Sequence, residues 1–310
     1  MSQFRRAPRQ KIDGIVLLNK PVGVSSNGIL QKVRGIFNAE KAGHTGALDP
    51  FASGLLPICL GEATKVSGLL LDAEKRYTAT LKLGVQTDSG DVDGQVLAQA
   101  PIPTLSVAQI EQVFAQFCGP ILQVPPMYSA LKHQGKPLYA YARQGIEIER
   151  PARPVTIFSL QLISWQADVI VFDVLCSKGT YVRTLGEDIA HALGTLGHLI
   201  ALHRTQTGSI RGEQMLTLEQ IEIQKTACLQ PLDLALQHLP RLDLDLKQTR
   251  LLQQGGMLAL PKLPHDWVRF YDANGRFFGI GEWHAVSERI KPKRLFNFVD
   301  TFAQEAGESV

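Results

Sequence analysis

The spacing of hydrophobic residues in the N-terminal part of the chain predicts two strands and a helix. Residues 14–18 (GIVLL) form an unbroken apolar run, which is typical of a short buried strand. After Ser25 or Ser26, apolar residues recur at helical spacing and predict a helix whose buried face holds Ile29, Leu30, Val33, Ile36 and Phe37. Residues 77–83 alternate strictly and predict a half-buried strand whose apolar face holds Tyr77, Ala79, Leu81 and Leu83.

The middle of the chain continues this mixture of helices and strands. Ser106 and Gln109 form a plausible capping box for a helix that ends at Gly119-Pro120. Residues 154–164 and 169–176 predict two further strands. Residues 182–193 predict a helix that buries Val182, Leu185, Ile189 and Leu193. The pattern as a whole predicts an α+β fold on a mixed or antiparallel sheet.

The sequence changes character after Pro231, where proline and glycine become frequent. The segments VRFYD and RFFGIGEW flank Asn274-Gly275, a strong signal for a β-hairpin turn. We therefore expect a separate, small β-rich module from about residue 240 onward, with the last eight or so residues disordered.

Charge and cysteine content narrow the class of protein without identifying it. The net charge of +3 over 310 residues is only mildly basic, so its location matters more than its size. Residues 5–11 and 289–294 are locally basic, and each cluster fits either a solvated tail or a phosphate-contacting arm. The 4 cysteines form no CxxC pair, which favours free thiols in a reducing compartment. With no signal segment and no apolar run of roughly 20 residues, a cytoplasmic protein is expected.

The most unusual stretch is the loop GHTGALDPFASG at residues 43–54, which is rich in glycine and carries Asp49. Its glycines permit positive φ values or a close approach of the backbone to a ligand. Pro50 biases Asp49 toward an extended conformation, which places its carboxylate on a constrained loop. On this loop alone, a tight structural turn is a better explanation than a catalytic carboxylate.

Two other segments supply chemistry that matches a reactive carboxylate. Arg183 falls in the first turn of a predicted helix, where the helix dipole disfavours a cation. Either Glu187 compensates it as an i,i+4 surface pair, or a buried carboxylate or phosphate does so. Tyr77 lies on the apolar face of its strand, where a core tyrosine is the ordinary explanation.

A third segment mixes aromatic and basic residues without any acid. It spans residues 128–143 and includes Tyr128, Lys132, His133, Lys136, Tyr139, Tyr141 and Arg143. This mixture suits stacking on bases together with neutralisation of phosphates, although a solvated basic face has the same composition.

Metal and cofactor sites have little support in the sequence. The acidic loop at residues 88–94 lacks the glutamate that closes a calcium-binding loop, because Ala100 occupies that position. Histidine spacing fits no zinc motif, and no dinucleotide-binding, Walker or nucleophile-elbow motif is present. We expect no metal and no cofactor.

At these segments the chain resembles the bacterial TruB-type tRNA pseudouridine synthases. The similar segments appear in the family's order and cover nearly the whole length: LLNKPVGVSS, GHTGALDPFASG, KRYTATLKLGVQTDSGDVDG, VPPMYSALKHQGKPLYAYAR and CSKGTYVRTL. The resemblance implies a basic tail at residues 1–10, a catalytic domain at 11–238, a PUA-like RNA-binding module at 239–302 and a disordered tail at 303–310.

The resemblance also implies an activity, namely isomerisation of uridine-55 in the TψC loop of tRNA to pseudouridine. Asp49 would be the nucleophile, Arg183 its partner, and Tyr77 would pack on the flipped uracil and assist proton removal. Tyr181 and Leu202 would line the base pocket, and His44 would contact the T-loop. The set of RNA contacts would further include Lys20, Asp91, Lys132 and Arg143. One departure is His203 in LHRTQTG, where the family often has a second arginine.

Other functions remain open from the sequence. The chain could act chiefly as an RNA-folding factor, or the Asp49 loop could belong to a hydrolase, whose tRNA affinity would not depend on salt. A guide-RNA-dependent, dyskerin-like synthase is a closer alternative, which the bacterial-style C-terminal module disfavours. We expect a monomer that acts on the T-arm of tRNA without an obligate protein or guide RNA and without contact with a membrane.

Overall fold

The computed structural model of the chain describes residues 8–261 and 265–297. Its helices are α1 (Ser26–Ile36), α2 (Ser67–Asp72), α3 (Val107–Phe117), α4 (Leu138–Ala142), α5 (Val182–Ala192), α6 (Leu218–Gln224) and α7 (Leu246–Gln253). Its strands up to the middle of the chain are β1 (Gly14–Lys20), β2 (Ala42–His44), β3 (Ser53–Leu60), β4 (Lys75–Leu83), β5 (Val85–Thr87), β6 (Val96–Gln99), β7 (Gly119–Gln123), β8 (Lys132–His133) and β9 (Lys136–Pro137). The later strands are β10 (Arg153–Gln166), β11 (Val169–Cys176), β12 (Gly197–Thr207), β13 (Ile210–Arg211), β14 (Arg241–Asp243), β15 (Leu258–Ala259), β16 (Trp267–Tyr271), β17 (Phe277–His284) and β18 (Arg289–Leu295).

The larger sheet is mixed and mostly antiparallel. Within the described residues its main path runs β1-β3-β12-β4-β11-β10-β7, with β2 paired to β3 and β13 paired to β12. Along this path β3 and β12 are parallel, and the other neighbours are antiparallel. The order makes β3, β12 and β4 neighbours in the sheet although they are far apart in sequence. Residues from three distant segments therefore meet near one place.

Apolar faces of three helices and of the larger sheet form the main core. The core joins Ile29 and Val33 of α1, Ile110 and Phe114 of α3, and Leu185 and Ile189 of α5 to the sheet residues Ala79, Leu81, Phe172 and Val174. Each fully buried leucine or isoleucine contributes about 1.5–3 kcal/mol through removal of apolar surface from water. The strict alternation in β4 follows from this packing, because only one of its faces is covered by helices.

A second, smaller sheet forms the C-terminal part of the described chain, in the order β14-β16-β17-β18-β15. It does not stand apart from the larger sheet. Its residues Tyr271, Phe277 and Phe296 share one hydrophobic cluster with Ile15 and Leu55 of the larger sheet. The predicted division at residues 238 and 239 stays a prediction.

The strands and helices predicted from periodicity are confirmed, with ends that differ by a few residues. Ser25 caps α1 by accepting a hydrogen bond from the Gly28 backbone, and Ser106 caps α3 in the same way. The hairpin of β16 and β17 turns at the predicted Asn274-Gly275. The basic cluster at residues 289–294 lies on β18, so the interpretation as a tail was wrong. The end at 303–310 and residues 1–7 of the N-terminal tail lie outside the described residues.

Candidate active site

Asp49 lies on the loop between β2 and β3, and two side chains from neighbouring elements fix that loop. The buried ammonium group of Lys20, at the end of β1, donates a hydrogen bond to the carbonyl oxygen of Ala52 at 2.7 Å. Ser26, at the start of α1, bonds both backbone groups of Leu48: its hydroxyl accepts from the nitrogen at 2.7 Å and donates to the oxygen at 2.9 Å. The residues on both sides of Asp49 are therefore held in place.

Arg204 on β12 holds the same loop from the opposite side. It is 1% exposed, and its guanidinium donates to the carbonyl oxygens of Leu55 at 2.7 Å and Gly46 at 3.0 Å. Gly54 has a φ of +99°, and a Cβ at this position would collide with the backbone of Arg204. The glycine-rich composition of the loop is thus required by close backbone packing at this point. Sequence reasoning missed Arg204, although a lone arginine between a histidine and threonines on a strand is a usable signal.

Arg183 connects Asp49 to two other parts of the chain. Its Nε lies 2.9 Å from Oδ2 of Asp49, and its Nη1 lies 3.2 Å from Oδ2 of Asp91. The guanidinium also donates to the carbonyl oxygens of Ser89 at 2.6 Å and Tyr128 at 2.7 Å. The Arg183 side chain is 3% exposed, whereas that of Asp49 is 39% exposed. A buried cation therefore orients a carboxylate that solvent and a ligand can reach.

This geometry decides between the two explanations for a cation in the first turn of α5. Within the described residues, the ion pairs of Arg183 are with Asp49 and Asp91 and not with Glu187. A partly buried pair of carboxylates offsets the unfavourable helix dipole better than an exposed i,i+4 pair would.

Asp91 is held in position by its own loop. Its Oδ1 accepts hydrogen bonds from the Ser89 hydroxyl at 2.6 Å and from the Asp93 backbone at 3.1 Å. Burial raises the pKa of Asp91, while the Ser89 hydroxyl and the Arg183 guanidinium act in the opposite direction. Its oxygens are thus engaged within the protein.

Glu187 lies one turn beyond Arg183, and its carboxyl group is partly buried and close to a second acid. Burial and the neighbouring Asp188 raise the pKa of Glu187 to about 7. Between pH 4.5 and 7 the folded state therefore binds more protons than the unfolded state, so the contribution of Glu187 to stability falls as the pH rises through this range. Below this range both states are protonated and the penalty vanishes.

A Glu187→Gln variant is therefore expected to be more thermostable than the parent at pH 8, with an advantage that shrinks as the pH falls toward 4.5. Thermal unfolding followed by circular dichroism at pH 5 and pH 8 measures the difference. Glu111→Gln, the same change at an exposed position of α3, is the control. A stabilisation by Glu187→Gln that is equal at both pH values would contradict the prediction.

Asp49 and Arg183 open onto a cavity of about 730 Å³. Its lining includes His44, Asp88, Tyr128 and Arg143 as well as the two paired residues. This volume lies within the range of pockets that bind small ligands. The wall contains aromatic rings, carboxylates and cations but is not strongly basic.

The structure brings most of the other predicted base-contacting residues close to Asp49. Burial raises the pKa of the Tyr77 and Tyr181 phenols, and the charge of Asp49 adds to this effect in both. The guanidinium of Arg204 acts against it at Tyr77. Leu202 is buried in the main core two residues before Arg204 on β12. Burial lowers the pKa of His44 at the cavity wall, which favours its neutral form.

The aromatic and basic segment at residues 128–143 forms one wall of the cavity and extends beyond it. It contains the β8–β9 hairpin and α4, and Lys132 and Arg143 are exposed. The Lys136 ammonium lies 4.7 Å from the ring centre of Tyr141, and the Arg143 guanidinium lies 5.4 Å from that of Tyr139. Because cations and aromatic rings attract each other, these pairs hold basic and aromatic side chains next to one another on this segment.

Two residues that were predicted to contact RNA, Lys20 and Asp91, are buried and bond to other parts of the candidate active site. Lys20 is 0% exposed, and its ammonium also donates to the Pro21 and Pro50 carbonyl oxygens. Burial lowers its pKa to about 8. Asp91 is buried against Arg183. Lys20 supports the Asp49 loop, and Asp91, which also lines the cavity, supports Arg183, so contact of these two residues with RNA stays a prediction.

His203, which stands where the resembled family often has an arginine, lies against Ser53. Nδ1 of His203 lies 2.8 Å from the Ser53 hydroxyl, and burial lowers the pKa of the imidazole. This side chain is therefore paired within the sheet.

Within residues 8–261 and 265–297, no three histidine, cysteine, aspartate or glutamate side chains converge as metal ligands. None of the helices in this part of the chain has the length and apolar character that a membrane crossing requires.

Comparison with solved structures places the fold in a known class. A chain of an H/ACA ribonucleoprotein bound to a substrate RNA containing 2′-deoxyuridine matches with a TM-score of 0.70 and 23% identity, over 93% of this chain and 86% of that chain. A chain from the Cbf5-Nop10-Gar1 complex matches with a TM-score of 0.70 and 24% identity, over 92% and 85%. At such identities the likeness concerns the fold alone, which this chain shares with those two chains.

Sequence comparison defines the family more closely. Residues 34–182 match the model of the TruB family pseudouridylate synthase N-terminal domain. Residues 183–237 and 240–296 match models of TruB C-terminal domains. A tRNA pseudouridine synthase B from Hydrogenovibrio crunogenus is 65% identical over 93% of this chain and 95% of its own length. The corresponding protein from Nitrosococcus oceani is 48% identical over 95% and 98%. The chain belongs to the TruB family of pseudouridylate synthases, which are isomerases.

Proposed function

We propose that this chain isomerises uridine-55 in the TψC loop of tRNA to pseudouridine, with Asp49 as the nucleophile. The observation that carries the proposal is the pairing of the partly exposed Asp49 carboxylate with the buried Arg183 guanidinium at 2.9 Å. The named relatives are tRNA pseudouridine synthases, which supports tRNA as the substrate class. The position within tRNA rests on the resemblance of the motifs.

The reaction rearranges one nucleotide without gaining or losing an atom. The bond between N1 of uracil and C1′ of ribose breaks, and a bond between C5 and C1′ forms after the base has turned. The proton lost from C5 is balanced by one gained at N1. An ionised carboxylate can act as the nucleophile in such a sequence: the bond that it forms to the substrate breaks again before the product leaves, so the carboxylate is regenerated. The adjacent guanidinium fixes its orientation. No redox or group-transfer cofactor is required.

The cavity must receive a base that has left its stack. Extrusion of a base from a folded loop costs a few kcal/mol, which contacts in the cavity must offset. We assign contact with the base to Tyr77 and Tyr181, whose phenols lie close enough to Asp49 for its charge to raise their pKa, and apolar contact to Leu202. His44 at the rim would contact the T-loop. The exposed Lys132 and Arg143 would neutralise phosphates of the T-arm.

The proposed substrate complex consists of tRNA and this chain alone, acting as a monomer. The solved structures of similar fold include a Cbf5-Nop10-Gar1 complex and an H/ACA ribonucleoprotein bound to a substrate RNA. The C-terminal sheet, with its basic strand β18, would provide further RNA contacts as the PUA-like module of the proposal.

The purified chain alone, incubated with an unmodified tRNA transcript, is expected to form pseudouridine at position 55. Mapping of pseudouridine by chemical labelling and primer extension locates the product. A transcript with cytidine at position 55 is the matched control. Modification at another uridine, or a requirement for added protein or guide RNA, would overturn the proposal.

A further inference from the structure

Tyr128 lies between the catalytic arginine and the acidic loop and bonds to both. Its carbonyl oxygen accepts a hydrogen bond from Nη2 of Arg183 at 2.7 Å. Its phenol donates to Oδ2 of Asp88 at 3.0 Å. One residue at the start of the aromatic and basic segment is therefore fixed through both its backbone and its side chain.

The acidic loop completes a closed ring of contacts. Asp88 pairs with Gln95 through backbone and side chain, at 3.0 Å and 2.8 Å, which makes the loop a compact unit. The next residue, Ser89, accepts a hydrogen bond from Nη1 of Arg183 at 2.6 Å. The path from Arg183 through Ser89 and Asp88 to Tyr128 thus returns to Arg183.

Tyr128 is also joined to the surface that we assign to RNA. The adjacent Ser129 carbonyl accepts from the Tyr139 backbone at 3.0 Å, and the Leu131 carbonyl accepts from the Leu138 backbone at 2.8 Å. These bonds fasten the β8–β9 hairpin and α4 to the residues directly after Tyr128. Because of these bonds, a shift of this surface would also move the carbonyl group of Tyr128.

From this ring we infer that Tyr128 and Asp88 are positioning residues, which hold the Arg183 guanidinium in the plane that presents Asp49 to the substrate. The inference rests on the proposed function. RNA that docks on residues 128–143 fixes the Tyr128 carbonyl, and the Tyr128–Asp88 bond transmits the same constraint to the acidic loop.

The physical reason lies in how Arg183 is bound. Each of its three nitrogens has a fixed acceptor, so its plane is defined only while all acceptors stay in place. Release of one acceptor allows the guanidinium to rotate. Because reactivity depends steeply on sub-ångström placement, a small rotation lowers the rate of the chemical step more than it lowers RNA affinity.

The test compares Tyr128→Phe, Asp88→Ala and the double variant. Phenylalanine keeps the ring at the cavity wall and removes only the hydroxyl. Each single variant is expected to lower the single-turnover rate at saturating T-arm RNA by roughly threefold to tenfold, since the lost hydrogen bond has a carboxylate acceptor but is exposed to solvent. The double variant is expected to be no slower than the slower single variant, because both changes break the same bond. RNA affinity is expected to stay within about twofold of the parent.

Tyr271→Phe is the matched control, because it removes another tyrosine–aspartate hydrogen bond, to Asp233, outside the cavity. It is expected to lower the melting temperature and leave the single-turnover rate unchanged. Parental rates for both Tyr128→Phe and Asp88→Ala, additive losses, or a loss confined to RNA affinity would overturn the inference. If Tyr128→Phe unfolds, Asp88→Ala decides by the same rate criterion. If the proposed function itself is wrong, the parent protein will form no pseudouridine at position 55. This outcome separates a failure of the proposed function from a failure of the inference about Tyr128 and Asp88.

Discussion

Asp49→Asn is expected to reduce pseudouridine formation in a T-arm stem-loop by at least about 10⁴-fold, because an amide is a poor nucleophile. Asparagine has nearly the same size as aspartate, and its oxygen can still accept the hydrogen bond from Nε of Arg183. The loop is held by Lys20, Ser26 and Arg204, none of which bonds to the Asp49 carboxylate. The variant should therefore fold normally and bind RNA. Single-turnover assays with excess enzyme, together with an RNA-binding titration, measure the two properties separately.

Asp168→Asn is the matched control, since Asp168 forms an exposed ion pair with Lys82 at the far end of β4. It is expected to retain the parental rate. Substantial turnover by Asp49→Asn would refute the nucleophile assignment. The same variant also tests the RNA-folding alternative. If it restored every phenotype of a strain that lacks the protein, RNA binding would be the main role and modification secondary.

The sequence predicted those elements whose packing is simple. In β4 one face meets helices and the other does not, so its residues alternate and the strand is evident from periodicity. In β12 the buried positions include His198, Arg204 and Thr207, which break the apolar pattern although the strand lies inside the sheet. β3 contains Pro57, which argues against a strand in any single-sequence analysis. These two strands, which periodicity did not predict, carry Arg204 and its acceptor Leu55 beside the Asp49 loop.

Sequence analysis identified most of the residues at the site, but it did not predict the contacts that several of them make. Arg183 could be linked to a carboxylate because the helix dipole made its position unfavourable without one. Lys20 could not be placed, because a lysine that bonds loop carbonyls and a lysine that bonds phosphates have the same sequence signal. Burial distinguishes them, and burial depends on how β1 and the loop meet in the folded chain. Arg204 was missed for the same reason.

Arg183→Lys is expected to lower the single-turnover rate by roughly 10²- to 10³-fold while keeping the positive charge. The guanidinium bonds to Asp49, Asp91, Ser89 and Tyr128 through three different nitrogens. A lysine ammonium is a single centre and cannot reach these acceptors in one plane, so some buried acceptors lose their partner. We expect a lower melting temperature as well, which thermal unfolding measures alongside the rate.

Arg76→Lys makes the same substitution at an arginine whose ion pair with Asp173 lies on the other face of β4. That pair is partly exposed, and a lysine can maintain a single contact with one carboxylate, so the rate should change by less than about threefold. The comparison separates charge from geometry. If Arg183→Lys were as active as Arg76→Lys, a positive charge near Asp49 would suffice, and the fixed plane of the guanidinium would have no role in catalysis. A selective loss in Arg183→Lys instead means that the rate of the reaction depends on the orientation of the Asp49 carboxylate. The Arg183 guanidinium sets this orientation, because its bonds to four acceptors on three segments fix its plane.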